Sequence, residues 1–148
     1  MTAVQRCEEA ALLRARIIAE AISWIGTPYR HQASQKGHGT DCLGLVRGVY
    51  RHIHGHEPEV PTPYGRRGGR DEVLLEAAKR HLRRVAEPQP GDVLLFRMRR
   101  TQAVRHCGIL IAPDRFVHAH DGQSVTGAPL IGFWASRVAA AFSFPETP

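Results

Sequence analysis

The chain holds only three cysteines, Cys7, Cys42 and Cys107, and no CxxC pair. An odd number leaves at least one thiol unpaired, so neither a disulfide framework nor a thiolate zinc site is indicated. Lysine is almost absent, with Lys36 and Lys79 standing against eighteen arginines. No run approaches the roughly 18 apolar residues of a helical membrane span, so no membrane insertion is expected. The opening stretch "MTAVQRCEEAALLRARIIAEA" carries charges through what would be the apolar core of a signal peptide. Cytoplasmic synthesis without a signal peptide is therefore expected, and a target outside the cell would need delivery by another machine or a phage-like particle. Also missing are HExxH, zinc-finger spacing, a P-loop and an RNP-like aromatic pattern, so no metal, cofactor or specific nucleic acid is expected.

What is present fits one domain. With 148 residues, 43% of them hydrophobic, the chain can bury a real core and is too short for two ordinary domains, so residues 1–148 are expected to form a single unit. The formal net charge of +6 would attract anionic polymers, whether nucleic acid, a wall glycopolymer or an acidic protein. Charge alone does not choose among them. The clusters "RRGGR" and "RMRR" read first as solvated loops.

From Cys7 to Ile25 the apolar residues Ala11, Leu12, Ala15, Ile18, Ala19, Ile22 and Ile25 recur at helical spacing, and Gly26-Thr27-Pro28 ends the pattern. Tyr29 to Gly39 reads as a polar loop. A second helix is expected from Cys42 to His54, an irregular connection through "HGHEPEVPTPYGRRGG", and a third helix from Asp71 to His81. After "PQPGD" the period becomes that of strands: Val93 to Phe96, Val104 to Ala112, Phe116 to His120, Ser124 to Thr126 and Arg137 to Phe144. "RMRRTQA" looks like a hairpin tip. Helices followed by strands argue for α+β, with N-terminal helices packed on a C-terminal antiparallel sheet.

The stretch "GTDCLGLV" places Cys42 in the first turn of the second helix. Unpaired amides and the helix dipole at that end favour a thiolate over a thiol. The competing reading is a small buried hydrophobe on a helix face. A thiolate nucleophile also needs an imidazole base and a group to fix its tautomer. His106 in "RHCGILI" and His118 in "RFVHAHD" lie on adjacent expected strands. A turn at Pro113 and Asp114 would bring His106 opposite the neighbourhood of His118 and His120, on one face. Alternation then puts Cys107 on the other face, as a core residue. Gly44 and Gly108 are expected to let the cysteine helix and the histidine strand approach closely.

The motifs "WIGTPYR", "DCLGLV", "PGDVLLF", "RHCGILI" and "FVHA", in that order over about Ile17 to Phe144, resemble the NlpC/P60 cysteine peptidases, papain-like enzymes of bacterial cell-wall turnover. Within that family the chain looks most like small peptidases of tailed phages and gene transfer agents. The resemblance implies a papain-like α+β fold with Cys42 as nucleophile at the start of a central helix. It implies His106 as general base, His118 as the orienting residue and Tyr29 as an aid to the oxyanion site. It implies Asp41 as a contact for a substrate amine, while Leu43 stands where the family usually has serine, which touches substrate recognition. His120 is a further candidate for the cleft. The implied reaction is hydrolysis of peptidoglycan stem peptides, at the bond between D-glutamate and meso-diaminopimelate, with phage-like tail proteins as possible partners. An amidase or acyltransferase of the same fold, a non-catalytic wall-binding or tail protein, and a metal hydrolase using His106, His118, His120 and Asp121 are the alternatives. The arginines of the Arg97 to Arg100 tip would then attract the anionic wall.

Overall fold

The computed structural model describes residues 1–58 and 72–146. Helix α1 spans Ala3–Ser23 and is opened by a capping box: the Thr2 side chain accepts from the Gln5 amide while the Gln5 side chain accepts from the Thr2 amide. That reciprocal cap satisfies two amides and starts the helix ahead of the expected Cys7. The buried stripe also differs from the one expected. Leu12, Ile22 and Ile25 are exposed, and the helix turns Leu13, Ile17, Ala21 and the following Trp24 toward the core. Trp24 decides the rotation, because its bulk is buried while its indole N–H donates to Glu20 Oε2 at 3.0 Å.

The loop expected between Tyr29 and Gly39 contains a miniature hairpin, β1 (Ser34–Gln35) paired with β2 (Gly39–Thr40). Helix α2 then runs Cys42–His54, as its apolar period requires, and stops at Gly55 with φ of 80°. A left-handed residue there is the usual glycine stop. Most of the proline-rich and arginine-rich connection, including "RRGGR", lies outside the described residues, as does Asp71. The third helix, α3, covers Val73–His81 and buries only Ala78.

The strands that follow are β3 (Arg83–Val85), β4 (Val93–Phe96), β5 (His106–Ala112), β6 (Arg115–His118), β7 (Thr126–Pro129) and β8 (Val138–Ser143), with the short helix α4 (Gly132–Ser136) before the last. They form one sheet in the order β3-β8-β4-β5-β6-β7, every pair antiparallel. The fold is α+β and papain-like, with α1 and α2 packed on the sheet and Cys42 at the start of the central helix. β3 and α4 are additions to the elements expected from the sequence. Among the described residues no helix is long and apolar enough to cross a membrane.

The sheet is apolar on both faces, which is why "VLLF" reads as a continuous run and not an alternating one. Val93, Leu95, Ile109 and Val117 face α1 and α2, with Trp24, Leu45 and Val49 opposite. Leu94, Phe96, Leu110, Phe116 and Ala141 face the other way, where Met98, Leu130 and Trp134 cover them. The β5–β6 register pairs Ile109 with Val117 and Leu110 with Phe116, so His106 and His118 share this second face.

The "PGD" segment ties α1 to the sheet. Asp92 is buried and accepts from Arg14 at 2.8 Å, from the Ser143 hydroxyl at 2.6 Å and from the Gln89 amide at 2.8 Å. Removing one partner of such a cluster leaves the others desolvated and unpaired. Asp92→Ala is expected to lower unfolding stability by about 3 kcal/mol, read as a lower urea midpoint at unchanged slope. Ser143→Ala, which leaves the ion pair intact, should cost about 1 kcal/mol.

Candidate active site

The site is built where α2 begins beside the start of β5. Asp41 is the residue that fixes the geometry: it caps α2, with Oδ1 accepting from the Gly44 amide at 2.8 Å, and Oδ2 accepts from the Gln32 amide at 2.7 Å. His31 Nδ1 lies 3.8 Å from Oδ2. Asp41 is only 2% exposed. Asp41, expected to meet a substrate amine, accepts one of these amides on each oxygen and so holds the loop and the helix together. Gln32 meets it in a left-handed conformation, φ 63°, which a glutamine adopts only where its surroundings demand it.

Gly44 serves this junction and not the approach to the strand. A Cβ built on it would lie 1.9 Å from the Ala33 carbonyl oxygen and 2.6 Å from Thr40 Oγ1. The hairpin loop is pressed against the first turn of α2. Gly108 makes room within the sheet, where a Cβ would meet Val117 O at 2.8 Å and His118 Cβ at 3.2 Å. It lets β6 and its histidine close on β5.

Cys42 is half-buried, with Sγ 3.8 Å from the Arg105 carbonyl oxygen. Its thiol is held well below the usual range, at about 5. The largest influence is a hydrogen bond from the Cys107 thiol; burial opposes it, a hydrogen bond and positive charge from His106 reinforce it, and the Asp41 carboxylate works against it. Cys107 is a core residue, as alternation requires, and is also the immediate neighbour of Cys42. Contact with Cys42 and burial push its own thiol well above the ordinary value. One sulfur is thus stabilised as an anion and the other is kept protonated to donate to it.

His106 Nε2 lies 2.8 Å from His118 Nδ1, which leaves Nδ1 of His106 for the cysteine. Burial, then the charges of His106 and His120, pull the His118 pKa down to about 3. A neutral His118 in the tautomer with its proton on Nε2 presents a bare Nδ1 as acceptor; in that arrangement His106 donates from Nε2 and its Nδ1 faces the thiol. His120, just past the end of β6, stacks on His118 at 5.8 Å and stands 5.6 Å from His106. Its pKa is lowered, first by burial and then by His106, against the pull of Asp121 and Cys42. Tyr29 is half-buried, bridged in parallel to Thr40, and leans on the same core as Cys42. Leu43 lines an apolar cavity of about 60 Å³ with Leu74, Ala78, Val93, Leu95 and Cys107.

The structure therefore brings Cys42, His106, His118 and His120 together, with Leu43 next to Cys42 in the first turn of α2 and Tyr29 paired to Thr40 in the hairpin that packs against that turn. Among the described residues no group of three or more His, Cys, Asp or Glu side chains is arranged to hold a metal ion. The arginine tip is less free than its composition suggests. Arg97 pairs with Glu72 at 3.0 Å and Met98 packs into the second core, leaving Arg99 and Arg100 exposed. The residue that sequence reasoning missed is Trp134, which lies against all three histidines. Its only signal was a lone tryptophan in the otherwise exposed "IGFWAS".

Comparison with known proteins places these features in a common frame. The model of the family described as "NlpC/P60 family" matches residues 26–142. A Murein DD-endopeptidase MepS/Murein LD-carboxypeptidase of Escherichia coli strain K12 is 32% identical over 113 residues, 76% of this chain and 53% of that protein. A Gamma-DL-glutamyl hydrolase of Bacillus subtilis strain 168 is 28% identical over 124 residues, 82% of this chain and 27% of its own length. The chain thus spans about half the length of the first of these relatives and about a quarter of the second. The crystal structure of the NlpC/p60 domain of the peptidoglycan hydrolase SagA superposes with a TM-score of 0.64 at 25% identity, covering 88% of this chain and 98% of that one.

A thiolate that persists to about pH 5 has a direct signature. Iodoacetamide at pH 6 is expected to label Cys42 ahead of Cys7 and Cys107, and the Cys42 rate should fall only as the pH drops through about 5. Peptide mapping by mass spectrometry reads both. Faster labelling of Cys107 would reverse the assignment of the two sulfurs.

Proposed function

Since the chain belongs to the NlpC/P60 family, we propose that it is a cysteine peptidase that hydrolyses peptidoglycan stem peptides through an acyl-enzyme on Cys42. The observation that carries this reading is the hydrogen-bonded series in which the Cys42 sulfur meets His106 and His106 Nε2 meets His118 Nδ1 at 2.8 Å.

In the form that attacks, Cys42 is a thiolate and its proton is held on His106 Nδ1, with Nε2–H donating to His118. The thiolate attacks the carbonyl carbon of the scissile amide, and the carbonyl oxygen takes up negative charge. The amides of Cys42 and Leu43 have no i−4 carbonyl within α2, so this end of the helix can stabilise that charge, with Tyr29 as a further donor. His106 Nδ1–H protonates the leaving amine as the C–N bond breaks, giving the acyl-enzyme. A water then gives its proton back to Nδ1 and adds to the acyl carbon, and the thiolate leaves. His118 remains the acceptor for Nε2–H throughout.

For the bond cleaved, the reading is the γ-D-glutamyl link to meso-diaminopimelate. The name of the Bacillus subtilis relative, a gamma-DL-glutamyl hydrolase, supports a γ-glutamyl carbonyl as the site of attack. The exposed Arg99 and Arg100 add attraction for an anionic wall. The motifs shared with small peptidases of tailed phages and gene transfer agents support delivery within a phage-like particle, where tail proteins would be the partners. Recovery of the chain in purified particles, by mass spectrometry, tests that part separately.

Digestion of purified sacculi followed by mass spectrometry of the fragments tests the reaction. New D-glutamate carboxyl ends with free diaminopimelate amines are expected; free lactyl-muramic acid would make the enzyme an amidase, and cleavage between D-residues would align it with the E. coli relative's named activity. Cys42→Ala should abolish turnover while keeping the fold. His106→Ala should lower kcat by about 10²–10⁴-fold, and His118→Ala by less, since packing and water can partly replace an orienting group but not the proton acceptor.

A further inference from the structure

The mechanism leaves Trp134 without a task, although it lies against all three histidines of the site. Helix α4 has five residues and buries none of them. Ile131 and Phe133 beside it are 63% and 51% exposed. Trp134 alone turns inward, with ring centroids 5.3 Å from His106, 4.9 Å from His118 and 5.4 Å from His120. It also contacts Phe96 at 5.2 Å and Phe116 at 5.5 Å. His106 and His118 are only 6% and 3% exposed, yet they lie on the sheet face away from α1 and α2. The indole is the cover on that side.

We propose that Trp134 is a positioning residue for the base: its indole closes the outer face of the sheet over the His106–His118 pair, excludes water from their hydrogen bond, and so holds His106 with Nδ1 presented to Cys42. This rests on the reading of Cys42 and His106 given above. The physical reason lies in the acceptor. An imidazolium on His106 needs a bare nitrogen at His118 Nδ1, and His118 offers one only while it is neutral. Burial is the largest influence keeping it so. The titratable groups facing His118 are His106 from β5 and His120 from the chain past β6, while Cys42 and Asp121 act on His120. Phe96, Phe116 and Trp134 bring no titrating group, nor does Thr126 opposite it in β7. The Arg137 guanidinium at the end of α4 stacks over Phe133 at 4.8 Å.

Removing the indole admits water and lets the His118 pKa climb toward the ordinary histidine range. Once protonated, His118 can no longer accept from His106, and the Cys42–His106 ion pair weakens on the acid side. The sign follows: the acid limb moves up in pH.

The test uses the full chain as wild type, Trp134→Phe and Trp134→Ala, each checked for folding by circular dichroism and thermal melting. The first measurement is the rate of Cys42 carbamidomethylation from pH 4 to 8, which needs no substrate. The second is the His118 titration by long-range imidazole NMR. Trp134→Ala is expected to raise the alkylation midpoint and the His118 titration by at least about one pH unit, with Trp134→Phe close to wild type. A folded Trp134→Ala whose two titrations match wild type overturns the inference, whatever its turnover. If the alanine variant does not fold, Trp134→Leu carries the same comparison, with an upward shift supporting the role and a wild-type profile overturning it. Failure of the underlying reading looks different, because wild-type Cys42 would itself then titrate as an ordinary thiol.

Discussion

The buried carboxylate of Asp41 is the constraint from which the geometry of the cleft follows. An acid taken out of water must have its oxygens satisfied, and here backbone amides from two separate segments do so: Gly44 in the first turn of α2 and Gln32 in the preceding loop. The loop can reach Asp41 only by folding back as a hairpin against the helix start. That contact requires a glycine at position 44 and forces Gln32 into a left-handed backbone. Cys42, next in the chain, then has no freedom left. It stands at the helix start with the end of the sheet in front of it.

The sheet completes the arrangement by having two useful faces. Residues 106 and 107 of one strand point to opposite sides, yet both touch Cys42 because the cysteine lies off the strand's end, against the carbonyl of Arg105. From one side comes an imidazole that can exchange a proton. From the other comes a buried thiol that can only donate. The low pKa of Cys42 is thus the product of a strand terminus and not of the helix dipole alone, which is the cause that sequence reasoning emphasised.

Much of this was legible in the sequence, and the reasons are local. Helix α2 was readable from Cys42 to His54 because its apolar period is continuous and a proline- and glycine-containing connection follows it. The histidine pair was readable because a short turn at Pro113 and Asp114 leaves β5 and β6 only one sensible register. Where reading failed, the deciding partner was distant or the element too short. That Asp41 also holds the loop to the helix was not readable, because the Gln32 amide it accepts from is brought to it only by the folded hairpin. Arg97 looked like a free cation because Glu72, its partner, is remote in sequence. Helix α4 has too few residues to display a period, so Trp134 could not be assigned a direction. The stripe of α1 was misread because apolar residues lie on more than one side of that helix, and Trp24 beyond its end chooses among them.

The separation of the two sulfurs along the chain has a consequence for when the protein becomes reactive. Cys42 lies in the first third of the sequence, whereas His106 and Cys107, the groups that hold its proton off, come more than sixty residues later. A ribosome therefore adds Cys42 long before these groups, and until they arrive neither the Cys107 thiol nor the His106 imidazole stands beside it. Only docking of the finished sheet onto the helices joins them, a long-range event that closes late in folding. The depressed pKa of Cys42 is therefore a property of the assembled fold, which a chain ending before residue 106 does not have.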